Sequence, residues 1–176
     1  MDQRAKRLAQ GDPAAFAELY DACADRVHHY LVVRLGSRVD ADDVLQETFV
    51  CLARTRRRLE TVENLVAYVF ATARNESIRF SERQAREGRL RGALSREALF
   101  VEPPPDDLLA VDTAEWAAAA LAGLNDDLRE VVELKVYAGL TFREISAVTG
   151  LPQGTVATRY RSALEKMRLQ MVKERK

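Results

Sequence analysis

The sequence predicts an all-α protein: two small helical domains joined by a flexible acidic, proline-containing linker, the second carrying a helix-turn-helix. Three observations predict it. Apolar residues recur at helical spacing through most of the 176 residues, with 47% hydrophobic content and only 8 Gly and 5 Pro. The pattern breaks at Phe100-Val-Glu-Pro-Pro-Pro-Asp-Asp107, where prolines lacking an amide proton forbid a helix. Beyond it, Thr141 to Met167 reads as two short helices around a tight turn.

Asp12-Pro13 is a helix start, and Phe16, Leu19, Tyr20, Cys23, Val27, Tyr30 and Leu31 follow at helical spacing until Gly36 ends the run. A second helix is predicted from Asp40 to Thr55. Val44, Phe49, Val50 and Leu52 supply its apolar surface, and Asp40, Asp42 and Asp43 complement the positive end of its dipole. The third runs from Leu65 to Phe80, with a break near Asn75 and an arginine-rich helix continuing to about Arg91. Residues 88–112 are the predicted linker between domains 1–87 and 113–176. About 24 flexible residues span ~25 to 30 Å, and up to ~80 Å when pulled straight.

After the linker, Trp116 to Leu124 and Asp127 to Tyr137 are predicted helices. Thr141 is then an N-cap with Glu144 three residues on, so hydroxyl and carboxylate each satisfy a backbone group. Ile145 and Val148 give that helix one apolar edge. Gly150 suits the left-handed stop, Pro152 discourages continuation, and Thr155 can cap the next helix. Val156, Tyr160, Leu164 and Met167 form its predicted inward stripe, leaving Arg159, Arg161 and Ser162 outward, where a major groove can take them.

The formal net charge of zero is unusual for a nucleic-acid binder, but the average conceals three blocks. Between residues 53 and 96, eleven arginines face five glutamates. Between 100 and 133, nine acids face Arg129 alone, and from 141 onward eight basic residues face three acidic ones. Single charge runs are often solvated helix faces. Here two basic modules flank an acidic connector, each with its own motif.

Asp40-Ala-Asp-Asp-Val-Leu-Gln-Glu-Thr-Phe49, Ala67-Tyr-Val-Phe-Ala-Thr-Ala-Arg-Asn75 and Leu124-Asn-Asp-Asp-Leu-Arg-Glu-Val-Val132, in that order before the helix-turn-helix, resemble bacterial sigma factors of the extracytoplasmic-function type. The resemblance covers nearly the whole chain. It implies a transcription initiation factor that binds core RNA polymerase, recognises and melts the minus-ten promoter element, and binds the minus-thirty-five element. Asp40, Asp43, Gln46 and Glu47 match the family's core-binding helix; positions 43, 46, 47 and 50 share a helical face that can meet basic side chains.

Ala67 to Arg79 resembles the segment that opens the minus-ten element. Tyr68 stands where relatives commonly have tryptophan and can stack an exposed base, although its spacing suits the core equally. Asn75 and Arg79 are candidates near a flipped base, and Arg74, Arg83 and Arg86 for strand phosphates. Thr155, Thr158, Arg159, Arg161 and Ser162 are the minus-thirty-five candidates, with the two threonines at a helix N-terminus that favours phosphate. Ala157 replaces the lysine frequent in relatives. An anti-sigma partner is further implied, with no cofactor and no small-molecule substrate.

Other classes fit less well. A stand-alone helix-turn-helix regulator needs neither the Asp40–Phe49 motif nor the tether. Cys23, His28, His29 and Cys51 are the only nucleophile- or metal-ligand-like residues, and the step from Cys23 to His28 is off the spacing that places two ligands on one helical face. Both thiols are expected to be reduced, without a disulfide or zinc site. No apolar stretch approaches a membrane span and Met1-Asp-Gln-Arg4 lacks a signal-peptide core, so a cytoplasmic bacterial protein without membrane insertion is expected.

Overall fold

The computed structural model describes residues 3–91 and 117–174. All regular structure among them is helical: α1 (Gln3–Gln10), α2 (Pro13–Leu35), α3 (Arg38–Arg54), a 3-10 turn (Arg56–Thr61) and α4 (Leu65–Arg91) form the first module. The second holds α5, described over 117–122, then α6 (Asp126–Val132), a π-helical turn (Glu133–Tyr137), α7 (Phe142–Thr149) and α8 (Gln153–Glu174).

Local chemistry sets most boundaries. Asp12 caps α2 by accepting the Ala14 amide at 2.9 Å, with Pro13 in the first turn, and Gly36 stops it at φ 69°. The cap is braced from behind, because Arg7 reaches Asp12 at 2.7 Å and Glu18 at 3.1 Å. Hydrogen bonding from Arg7, with the Ala14 amide also contributing, holds the Asp12 carboxyl below its usual range. Helix α1 is an addition to the predicted elements. With only Ala5 and Leu8 buried, its stripe is too short to stand out as a period.

Two predicted helices change shape. Helix α3 starts at Arg38, because Ser37 rather than Asp40 accepts the first capping amide. Helix α4 has no break near Asn75 and continues through Gly88 to Arg91. No glycine or proline interrupts residues 65–87, and the Thr72 and Ser77 hydroxyls donate back to the Tyr68 and Arg74 carbonyls, which a helix interior accommodates. The first four residues of the predicted linker are therefore helical, and 92–112 lie outside the described residues.

The second half of the predicted Asp127–Tyr137 helix is the π turn. Its widened ring is closed by the Ala138 amide on the Glu133 carbonyl at 3.1 Å. In the helix-turn-helix, Thr141 and Glu144 form the reciprocal capping box and Gly150 takes φ 73°. Thr155 is not the cap of α8. That helix starts at Gln153, where the Pro152 carbonyl accepts the Val156 amide, leaving Thr155 inside the first turn. Leu164 is 43% exposed; Ala163 is fully buried in its place, as is Val156, with Tyr160 and Met167 partly buried beside them. A small residue there lets α8 lie close to Leu121, Leu124 and Leu128.

The main core runs across both modules. Tyr30 and Phe70, 5.9 Å apart edge to face, sit in one continuous cluster with Val131, Leu134, Ile145 and Val148. Helix α2 thus packs on the π turn and α4 on α7. The Tyr30 hydroxyl is buried without a hydrogen-bond partner among the described residues.

Tyr30→Phe is expected to keep stability or raise it by up to ~1 kcal/mol in chemical denaturation, since it removes an unsatisfied buried hydroxyl. Thr141→Ala is expected to cost about 1 kcal/mol in the same measurement. Burial pulls the Glu144 carboxyl upward, but hydrogen bonds from the Thr141 amide and hydroxyl outweigh this and hold it below the usual range. The box therefore contributes fully above the ordinary carboxylate pKa and loses its contribution as pH falls through the depressed value.

Candidate nucleic-acid interface

Four surfaces carry the charged side chains. On α3, Asp43, Gln46 and Glu47 are exposed and Asp40 is half-buried, so the spacing does place them along one side of the helix. Exposed Val39 and Val50 flank them, and half-buried Phe49 is anchored against Tyr20 with ring centroids 4.7 Å apart. An acidic patch with an apolar rim and a rigid base results.

On α4, Asn75, Arg79, Arg83 and Arg86 are exposed and succeed one another at steps of four, four and three, which keeps them near one face. Arg79 is braced by Glu76 at 2.8 Å, and Arg83 lies over the Phe80 ring at 5.9 Å. Arg86 and Glu82 are 3.7 Å apart in a loose, exposed pair. Half-buried Tyr68 lines a cavity of about 550 Å³ between α4 and α7, lined also by Asn64, Ala71, Arg143 and Ala147. Across that cavity the Asn64 amide donates to Glu144 at 3.4 Å.

On α8, Thr155, Thr158 and Arg161 are exposed, and Arg161 donates to the Thr158 hydroxyl at 3.4 Å. Arg159 is not outward as the sequence predicts. Only 27% of its side chain is exposed, because Asp127 of α6 holds it at 3.1 Å. Ser162 is likewise half-buried.

The fourth surface is where the modules meet. Arg74 of α4 donates to both carboxylate oxygens of Glu130, at 2.8 and 3.1 Å. Arg34 of α2 reaches Glu130 at 3.3 Å and Glu133 at 2.9 Å, and also donates to Ser77. Arg26 closes the end of the π turn with bonds of 2.6 and 3.0 Å to the Ala138 carbonyl. Burial pushes the Glu133 carboxyl above its usual range, and Arg34 opposes that shift. Arg26, Arg34, Glu130 and Glu133 escape sequence reading as a site, because their partners lie 43 to 113 residues away and no local pattern joins them.

Cys23 and Cys51 are both free thiols. Burial pushes the Cys23 thiol up to about 11. Among the described residues no helix is long and apolar enough to cross a membrane.

These features define a two-module helical DNA-binding protein. Residues 19–87 match the model of Sigma-70 region 2, and residues 114–167 match that of Sigma-70 region 4. The chain belongs to the ECF-type RNA polymerase sigma factors. It is 30% identical to the ECF sigma factor BldN of Streptomyces coelicolor over 96% of its own length and 65% of that protein's. It is 29% identical to SigL of Mycobacterium tuberculosis over 94% of each chain. Its fold is similar to CnrH, solved in complex with the cytosolic domain of CnrY, with TM-score 0.71, 22% identity and 96% and 94% coverage. RpoE, solved with the anti-sigma factor NepR from Bartonella quintana, gives TM-score 0.69 at 21% identity over 89% of this chain and 96% of that one. Region 2 ahead of region 4 sets aside a stand-alone helix-turn-helix regulator, which has no need of the former.

Replacing Ala157, half-buried beside Thr158, with lysine is expected to tighten minus-thirty-five DNA binding and steepen its logarithmic salt dependence by roughly one unit. A salt titration of the full chain on duplex DNA checks both.

Proposed function

We propose that this chain directs core RNA polymerase to promoters with a division of labour between its modules. The first, expected over 1–87, docks on the polymerase through Asp40, Asp43, Gln46 and Glu47. It takes up the opened minus-ten strand through Tyr68, Arg74, Asn75, Arg79, Arg83 and Arg86. The second, expected over 113–176, holds the minus-thirty-five element through the exposed Thr155, Thr158 and Arg161.

The observation that carries this reading is the segregation of charge within the region 2 match. The acidic face lies on α3 and the exposed arginine stripe on α4, so one module can meet a basic protein and a polyanion on different helices. The protein works where the polymerase is, in the bacterial cytoplasm, and it acts by binding rather than by catalysis. An anti-sigma partner belongs to the same scheme, supported by both similar folds having been solved with a second protein, which for RpoE is the anti-sigma factor NepR.

In transcription with purified core polymerase and a genomic promoter library, the chain is expected to yield discrete start sites absent with core alone. No start sites above core would contradict the proposal. Asp43→Arg combined with Glu47→Arg is expected to weaken capture of core at least roughly ten-fold, two charge-assisted contacts being worth more than the ~1.4 kcal/mol that ten-fold requires. Thermal melting of the same variant checks that the fold is kept.

A further inference from the structure

We infer that the second module is an internal competitor for the promoter strand: Glu130 holds Arg74 as a strand phosphate would, and this grip opens before the first module takes up DNA. The inference rests on the proposed role of Arg74 in binding the minus-ten strand.

The geometry of Arg74 is that of anion recognition. Its planar fork meets both oxygens of one carboxylate, the same two-point contact it would make with a phosphate. Arg79, Arg83 and Arg86 face solvent; among the described residues Arg74 is the one proposed strand arginine bonded to the second module. Glu130 is 13% exposed and Glu133 2%, so the carboxylates are sealed against Arg34 and Arg74 instead of ringing an open surface. Tyr68 is affected at the same seam, because α7 closes over the start of α4 through Asn64 and Glu144.

The closed packing also conflicts with gripping two separated elements. The modules share one apolar cluster here, whereas elements a couple of helical turns apart stand roughly 70 Å from one another at about 34 Å per turn. A chain that holds both elements cannot keep Glu130 on Arg74. Separation frees the Arg74 guanidinium, so loss of the internal carboxylate and gain of a strand phosphate are alternatives for one group.

The test uses the full chain, small-angle X-ray scattering, and fluorescence anisotropy with a random-sequence single-stranded 15-mer. Glu130→Ala and, separately, Arg34→Ala are expected to enlarge the radius of gyration. They are also expected to tighten strand binding about ten-fold, as for a chain whose competent form rises from about a tenth to nearly all of the population. Adding Arg74→Ala to Glu130→Ala is expected to abolish the gain. Asp126→Ala, which removes a fully exposed carboxylate from the same helix, controls for charge alone and is expected to leave affinity within about two-fold.

Unchanged affinity in both opening variants overturns the inference, as does a gain that survives Arg74→Ala or appears equally in Asp126→Ala. Transcription by the unaltered chain separates the two levels. Start sites together with unchanged strand affinity leave the sigma-factor role standing and remove the competition. Absent start sites remove the role itself.

Discussion

The contact on which the arrangement depends is the four-residue network of Arg34 and Arg74 against Glu130 and Glu133. Ion pairs of this kind are poor sources of net stability, because desolvation offsets much of the attraction. What they impose is register. The apolar cluster around Tyr30 and Phe70 attracts Val131, Leu134 and Ile145 without direction, whereas two guanidinium groups accept only one placement of two carboxylates three residues apart on α6 and the π turn. Removing one member leaves buried partners without their counter-charge, so the network resists piecemeal loss. The π turn belongs to the same device: the Arg26 bonds to Ala138 seal the carbonyl end of the widened helix that carries Glu133.

The charge distribution takes on a different meaning beside this network. In sequence, the nine acids between residues 100 and 133 look like the flavour of a connector. Folded, all four of those after the described chain resumes pair with arginines: Glu130 and Glu133 with the first module, Asp127 with Arg159 and, loosely at 3.9 Å, Asp126 with Arg129. A formal net charge of zero in a DNA-binding chain is thus consistent with internal neutralisation, not with a lack of basic surface. The exposed stripe on α4 and Arg161 on α8 retain the basic surface in the closed arrangement.

The legible parts of the fold are those with local causes. Asp12-Pro13, Gly36, the Thr141–Glu144 box and Gly150 each act within a few residues, and each sits where the sequence puts it. Helix α1 offered two buried residues, too few for a period, and the supposed break at Asn75 had no glycine or proline behind it. Leu164 and Ala163 exchange roles because volume on the facing helix, not hydrophobicity, decides which residue of a stripe turns inward. The acidic face of α3 and the exposed positions of α4 and α8 follow from helical periodicity. Arg74 and Arg159 do not, because their orientation is set by carboxylates 56 and 32 residues away.

A distance between the modules tests the central claim most directly. With Cys23 and Cys51 replaced, spin labels at exposed Gln84 on α4 and Lys166 on α8 report it by double electron–electron resonance. The account predicts one narrow distribution for the free chain and a shift to clearly longer distances when core polymerase and promoter DNA are added. The same narrow distribution in both states would contradict it.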